Sequence, residues 1–237
     1  MRYPDEMMKQ LQEWITHENV HVRRLVSEGT RTRLPWAGRL PEFQKDPTPV
    51  IALLEQLKTD PELYVRRSVA NNLNDIVKDH PDRVVDLLLE WNNTEDEGTK
   101  WIVKHASRTL VKQGHPGALK LLGFDPDVKV SVTELSCPPS AKIGGETHFS
   151  FSVKNNEKKP ANLMIDFVVH YMKSNGKQNP KVFKLAQKEL AAGASEDFRK
   201  KLALVQRTTR KHYAGQHHIE VQINGQSHGK VAFELKS

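Results

Sequence analysis

The sequence predicts a two-part chain: an all-α stack of short helical repeats over residues 1–125, then an all-β sandwich over residues 126–237. Three observations predict it. Apolar residues recur at helical spacing up to Phe124 and alternate at strand spacing after Gly123-Phe124-Asp125-Pro126. A five-residue block, Val22-Arg23-Arg24-Leu25-Val26, returns as Val65-Arg66-Arg67-Ser68-Val69 at a spacing of 43. Charge divides at the same place. Residues 1–124 hold 18 basic and 18 acidic side chains, so the whole net charge of +7 falls in the remainder. Such asymmetry points to a polyanionic partner, with solubility as the plain alternative.

The helical elements read in order as Pro4–Trp14, Pro49–Leu57, Pro61–Val77, Pro81–Trp91 and Thr99–Val111. Proline begins several of them, where its missing N–H costs nothing. A looser third copy of the repeated block, Ile102-Val103-Lys104-His105-Ala106, follows the second. Antiparallel helix pairs near a period of ~40 residues read as HEAT-like repeats, which stack because one pair cannot bury its apolar face alone. The strand half predicts seven short runs: Val128–Val132, Phe149–Val153, Leu163–Val169, Lys181–Leu190, Phe198–Leu204, His218–Ile223 and Lys230–Leu235. Turn residues separate them, among them Asn175-Gly176 and Asn224-Gly225. That number and length suit an immunoglobulin-like sandwich, with Tyr213 placed for a tyrosine corner.

Some classes are excluded at once. No run approaches the ~18 apolar residues of a membrane span, and the first residues carry no signal-peptide core. A single cysteine, Cys137, rules out an intrachain disulfide framework and any multi-cysteine zinc site. The expected compartment is the cytoplasm, with no cofactor. His17-Glu18-Asn19-Val20-His21 matches a zinc-protease pattern, but it falls on a turn between helices, where the two rings would not share a face, so no metal is expected.

Repeats allow one face to be compared across copies. Val22, Val26 and Gly29 align with Val65, Val69 and Asn72, and with Ile102, Ala106 and Thr109, as the packing side. A second face carries Arg24 and Glu28, then Arg67, Asn71 and Asp75, then Lys104, Arg108 and Lys112. Side chains at i and i+4 lie above one another, so this face is a stripe of cations holding two carboxylates. It reads either as a groove for a nucleic-acid backbone with reactive acids inside or as solvated helical ion pairs. Asn71, Asn72 and Asn74 beside Asp75 are poor helix-interior residues, and are expected to position an acid or a water. The loop Arg31–Pro41 joins Arg31, Arg33 and Arg39 to Trp36, which either stacks on a base or sugar or plugs the core between repeats. In the basic half, Gln206–Tyr213 offers Arg207, Arg210 and Lys211 for phosphate contact.

These residues carry a resemblance. Val22–Gly29 through Arg33-Leu34-Pro35-Trp36, Tyr64–Asp75 through His80-Pro81, and Trp101–His105 resemble the AlkC branch of the HEAT-like DNA alkylation-repair glycosylases over residues 5–124. Some members of that branch carry a C-terminal immunoglobulin-like domain. The resemblance implies removal of cationic N-alkylated bases, such as 3-methyladenine and 3-methylcytosine, from duplex DNA without a deep base pocket. It implies Asp75 and Glu28 as the acids that stabilise an oxocarbenium-like transition state, and Trp36 as a stacking residue. Arg31, Arg33, Arg66, Arg67, Asn71, Asn72, Lys104 and Arg108 are the implied DNA contacts, and Arg207, Arg210 and Lys211 are expected to add phosphate contacts from the basic half. Alkylated duplex DNA is the expected partner, with no membrane and no obligate protein partner. Members normally carry further residues ahead of the point where this chain begins, which implies leading repeats absent here. Two other functions are compatible with the residues: a non-catalytic DNA-binding or lesion-sensing module, and a protein-interaction scaffold.

Overall fold

The computed structural model describes residues 3–208 and 210–237. Its helices are α1 (Pro4–Trp14), α2 (Val20–Gly29), α3 (Pro41–Lys45), α4 (Thr48–Leu57), α5 (Leu63–Ile76), α6 (Pro81–Asn92), α7 (Glu97–Ala106), α8 (Arg108–Lys112) and α9 (Pro116–Leu121). Proline stands in the first turn of α1, α3, α4, α6 and α9. Asn19 caps α2 by accepting from the His21 N–H at 2.9 Å, and Asp96 caps α7 through the Thr99 N–H at 2.6 Å. The zinc-protease pattern therefore straddles a cap, with His17 before it and His21 inside the helix. One helix expected over Thr99–Val111 is two. The Ser107 hydroxyl donates to the Val103 carbonyl at 2.6 Å, and α7 gives way to α8 at that residue.

The repeated segments α2, α5 and α7 pack side by side, with α5 in the middle. Val26, Val65, Val69, Leu73, Ile102 and Ala106 are fully buried between them and join one core with Leu53, Leu54 and Leu88 from the outer helices. The packing side fails at one expected position. Gly29 is exposed, and with Met7, Leu11, Trp14 and Leu25 it lines a shallow apolar depression.

The chain divides into two units, Met1–Leu122 and Gly123–Ser237. The second is built from β1 (Val130–Ser136), β2 (Ser140–Lys142), β3 (Glu146–Asn155), β4 (Ala161–Met172), β5 (Gln178–Leu190), β6 (Ser195–Ala203), β7 (Gly215–Ile223) and β8 (Gln226–Lys236). They form a three-stranded sheet, β1-β3-β6, and a five-stranded sheet, β2-β8-β7-β4-β5. Seven strands were expected; the eighth, β2, is three residues long and runs parallel to β8. Pro180 is tolerated because β5 is an edge strand. The β7–β8 turn takes Asn224 at φ 46° and Gly225 at φ 78°, the left-handed pair that a tight hairpin needs. Alternate residues of both sheets, from Phe149, Phe151 and Val153 to Ile219, Val221 and Phe233, fill a core of their own. Among the described residues, the hydroxyl of Tyr213, placed for a tyrosine corner, has no hydrogen-bond partner. No described helix is long and apolar enough to cross a membrane.

Asp166, buried on β4, carries a stability consequence. Burial lifts its carboxyl from 3.8 to about 6, against the opposing pull of Lys184. The folded unit thus keeps a proton that the unfolded chain gives up at lower pH. This contribution is fully present below the unfolded value and is lost as pH rises through about 6. Asp166→Asn should therefore stabilise the fold at pH 7 by up to about 3 kcal/mol, with the gain vanishing near pH 4. Thermal melts at the two pH values read this; a variant no more stable at pH 7 refutes it.

Candidate functional site

The doubled arginine of each repeat splits into two jobs. Arg23 donates from Nη1 to the carbonyls of His17 and Glu18, both at 2.9 Å, and pairs through Nε with Asp60 at 2.7 Å. Arg66 does the same one repeat later, donating from Nη1 to the carbonyls of Asp60 and Pro61 at 2.6 and 2.8 Å. Both guanidiniums satisfy backbone oxygens of the turn before their helix. Arg66 is therefore a turn clamp and not the free DNA contact expected of it. The second arginines, Arg24 and Arg67, belong to the other face, where Arg67 is exposed.

That face centres on two carboxylates. Asp75, buried on α5, accepts from Arg31 Nε at 2.9 Å and from Lys78 Nζ at 3.0 Å, one cation on each oxygen. Glu28, on α2, accepts from Arg31 Nη1 at 2.9 Å through one oxygen. Its other oxygen takes the Ser68 hydroxyl at 2.6 Å and faces Arg24 at 3.4 Å. One guanidinium thus joins the two candidate acids, across two helices. Arg31, expected at a phosphate, is instead the hub of this cluster.

The asparagines of α5 have a different role from the expected one. Asn72 is fully buried and donates to the Ser27 carbonyl at 2.8 Å and to Thr30 Oγ1 at 3.1 Å. Asn74 donates to the His105 carbonyl at 3.2 Å and accepts from the Thr109 hydroxyl at 2.7 Å. Asn71 accepts from Arg108 Nη2 at 2.8 Å. Each amide ties α5 to a neighbouring repeat, which offsets the helix-interior penalty of asparagine. Asn72 has no access to a ligand, so its expected contact with DNA falls.

The loop after α2 is pinned and then released. Arg31 reaches Asp75, and Arg33 pairs with Asp79 through two bonds at 2.6 and 3.1 Å, so the segment is fastened twice to the end of α5. Three residues later Trp36 stands wholly exposed, with φ at 66°. A bulky side chain in the left-handed region is strained, and nothing apolar offsets the strain here. The core-plug alternative for Trp36 is removed.

Arg108 contacts His105 Nε2 and donates to Asn71. Burial, then Arg108 and Arg67, hold His105 below the ordinary imidazole range. Lys104 is exposed beside them. In the second unit, Arg207 and Lys211 are exposed on the loop before β7. Arg210 lies over the rings of Tyr171 and Phe183, at 5.3 and 5.5 Å, and braces that loop. Thr209, between them, lies outside the described residues.

Three members of the cluster escaped the sequence reading. Ser68 stands where the first repeat has Leu25, a polar residue at an apolar repeat position. Tyr64, half exposed, matches His21 one repeat earlier; it carries Arg24 over its ring at 4.6 Å and His21 against its edge. Lys78 follows Asp75 at the i+3 spacing of a helical ion pair.

Comparison with known proteins bears on both units. Residues 1–110 match the family model described as DNA alkylation repair enzyme, and residues 131–237 match that of the C-terminal Ig-like domain of uncharacterised protein YhaZ. The chain is 38% identical to uncharacterized protein YhaZ of Bacillus subtilis, over 98% of this chain and 64% of that one. It is 42% identical to the alkylpurine DNA glycosylase AlkC of Pseudomonas fluorescens, solved bound to DNA containing an abasic site analog. That match covers 98% of this chain and 65% of the other, with a TM-score of 0.93. The chain therefore spans about two thirds of the length of these relatives. Its helical unit is therefore similar to the DNA alkylation repair enzymes, and its sheet unit to the Ig-like domain that closes YhaZ.

Proposed function

We propose that this chain binds alkylated duplex DNA and hydrolyses the N-glycosidic bond of cationic N-alkylated bases, 3-methyladenine and 3-methylcytosine among them, as a monofunctional glycosylase of the cytoplasm. One observation carries the reading: Glu28 and Asp75, on neighbouring helices, share one guanidinium on the face that also holds Arg24, Lys78 and Arg67. A base that is already positive leaves without a strong general acid. What the site must supply is negative charge for the oxocarbenium-like sugar and a place for the attacking water. Asp75 and Glu28 supply the first, and a carboxylate oxygen orients the second. Arg24 and Lys78 are the more exposed counter-ions, their side chains 32% and 48% accessible. A cationic sugar takes their place against the carboxylates, whereas a neutral nucleotide gains nothing by doing so. Trp36 stacks on the lesion or its sugar, and the exposed cations neutralise phosphates.

The test is release of free base from duplex DNA carrying 3-methyladenine. Release supports the glycosylase. Salt-sensitive binding without release supports a second reading, a lesion-sensing module, which one observation favours: all four carboxylate oxygens already accept from a cation or a hydroxyl. Absence of salt-sensitive DNA binding would leave the scaffold and end both readings.

In the sheet unit, Arg207 and Lys211 are the proposed phosphate contacts, and Arg210 the brace beneath them. Replacing Arg207 and Lys211 by alanine should flatten the plot of log affinity against log salt by about 2, with the melting temperature unchanged. An unaltered slope refutes the role.

A further inference from the structure

We infer that Arg31 is a positioning residue for the glycosylase reaction: its guanidinium sets the spacing and orientation of Glu28 and Asp75 and makes no contact with DNA. The inference rests on the function proposed above. Arg31 presents two N–H groups from one rigid plane to two carboxylates on two helices, both at 2.9 Å. Its side chain is 12% accessible, against 26% for Arg33, 32% for Arg24 and 48% for Lys78, so it is the cation of this cluster held most deeply.

The backbone around it is fastened on both sides. Thr30 is buried, donates to the carbonyls of Val26 and Ser27, and accepts from Asn72 on α5. Arg33 is locked to Asp79 by two bonds. A second restraint, the Ser68 hydroxyl at 2.6 Å, fixes the far oxygen of Glu28. Two carboxylates brought this close repel one another and would turn outward to water. The guanidinium plane removes that freedom. A lysine carries the same charge as a point and cannot span both acids in a fixed geometry. Stabilisation of a developing sugar cation depends on where the two acids sit, so the geometry of the pair matters beyond its charge.

The test uses the full chain and two duplexes that need no turnover. One carries a neutral tetrahydrofuran abasic nucleotide, the other a cationic pyrrolidine analogue of the sugar. The parent should prefer the cationic duplex. In Arg31→Lys that preference should fall by about tenfold, with affinity for the neutral duplex and its salt slope unchanged; in excision, kcat should fall and KM hold. Ser68→Ala, which removes one restraint on Glu28 and leaves Arg31, should move the preference the same way by less, and melting curves establish that both variants fold. Lys104→Gln, at an exposed cation outside the cluster, is the comparator for a phosphate contact and should weaken both duplexes equally, with a slope flatter by about 1. If Arg31→Lys behaves like Lys104→Gln, or keeps the parent's preference, the inference is overturned. A parent with no preference for the cationic duplex overturns the carboxylate reading itself, and this inference with it.

Discussion

Asp75→Asn should abolish measurable release of 3-methyladenine, a loss of at least about a hundredfold in single-turnover rate, while duplex affinity stays within a few-fold of the parent. The amide keeps the size of the side chain and removes its charge. The variant therefore loses what the sugar cation needs and little else. Arg31 keeps Glu28 as a partner, and Lys78, half exposed, turns to water. Asp75 itself is buried, so some loss of stability is expected, and a melting curve taken alongside separates unfolding from lost chemistry. A variant that folds, binds and still releases base would move the essential charge to Glu28, the other carboxylate that Arg31 holds among the described residues.

Trp36→Ala should divide stability from binding. The side chain is wholly exposed and touches no core residue cluster, and alanine keeps the Cβ that strains φ 66°, so its removal should leave the melting temperature unchanged. Affinity for the alkylated duplex should fall by about 1–3 kcal/mol, the usual loss for one stacked base. Fluorescence titration against duplexes with and without the lesion measures it. Equal affinities for parent and variant would show that the exposed ring serves something other than DNA.

Much of the architecture is legible in the residues. The switch from helical to alternating periodicity near Phe124 separates the helical repeats from the Ig-like sheets, and proline or a capping side chain marks the start of most helices. Repetition at a spacing of 43 identifies the face that carries Glu28 and Asp75. The errors are local and have physical causes. Ser107 reads as an ordinary helix residue, yet its hydroxyl bonds the backbone four residues back and divides α7 from α8. Strand β2 is too short to show alternation.

The sequence by itself determined the order of the elements, the face they share and the types of side chain on it, because periodicity and repetition are properties of the chain alone. Only the tertiary structure decided what each side chain does there. Arg23 and Arg66 look the same as Arg24 and Arg67 in the doubled motif. Helix geometry sends the first of each pair back to the carbonyls of the preceding turn and leaves the second facing outward. Asn72 reads as an active-site amide and is a buried tie between α5 and the end of α2, because the neighbouring repeat brings Thr30 and the Ser27 carbonyl within reach. Arg31 reads as a loop cation for phosphate. It becomes the bridge between Glu28 and Asp75 because a residue 44 positions away folds against it. A charge's role depends on which opposite charge packing places beside it, and that partner is not written at any fixed spacing along the chain.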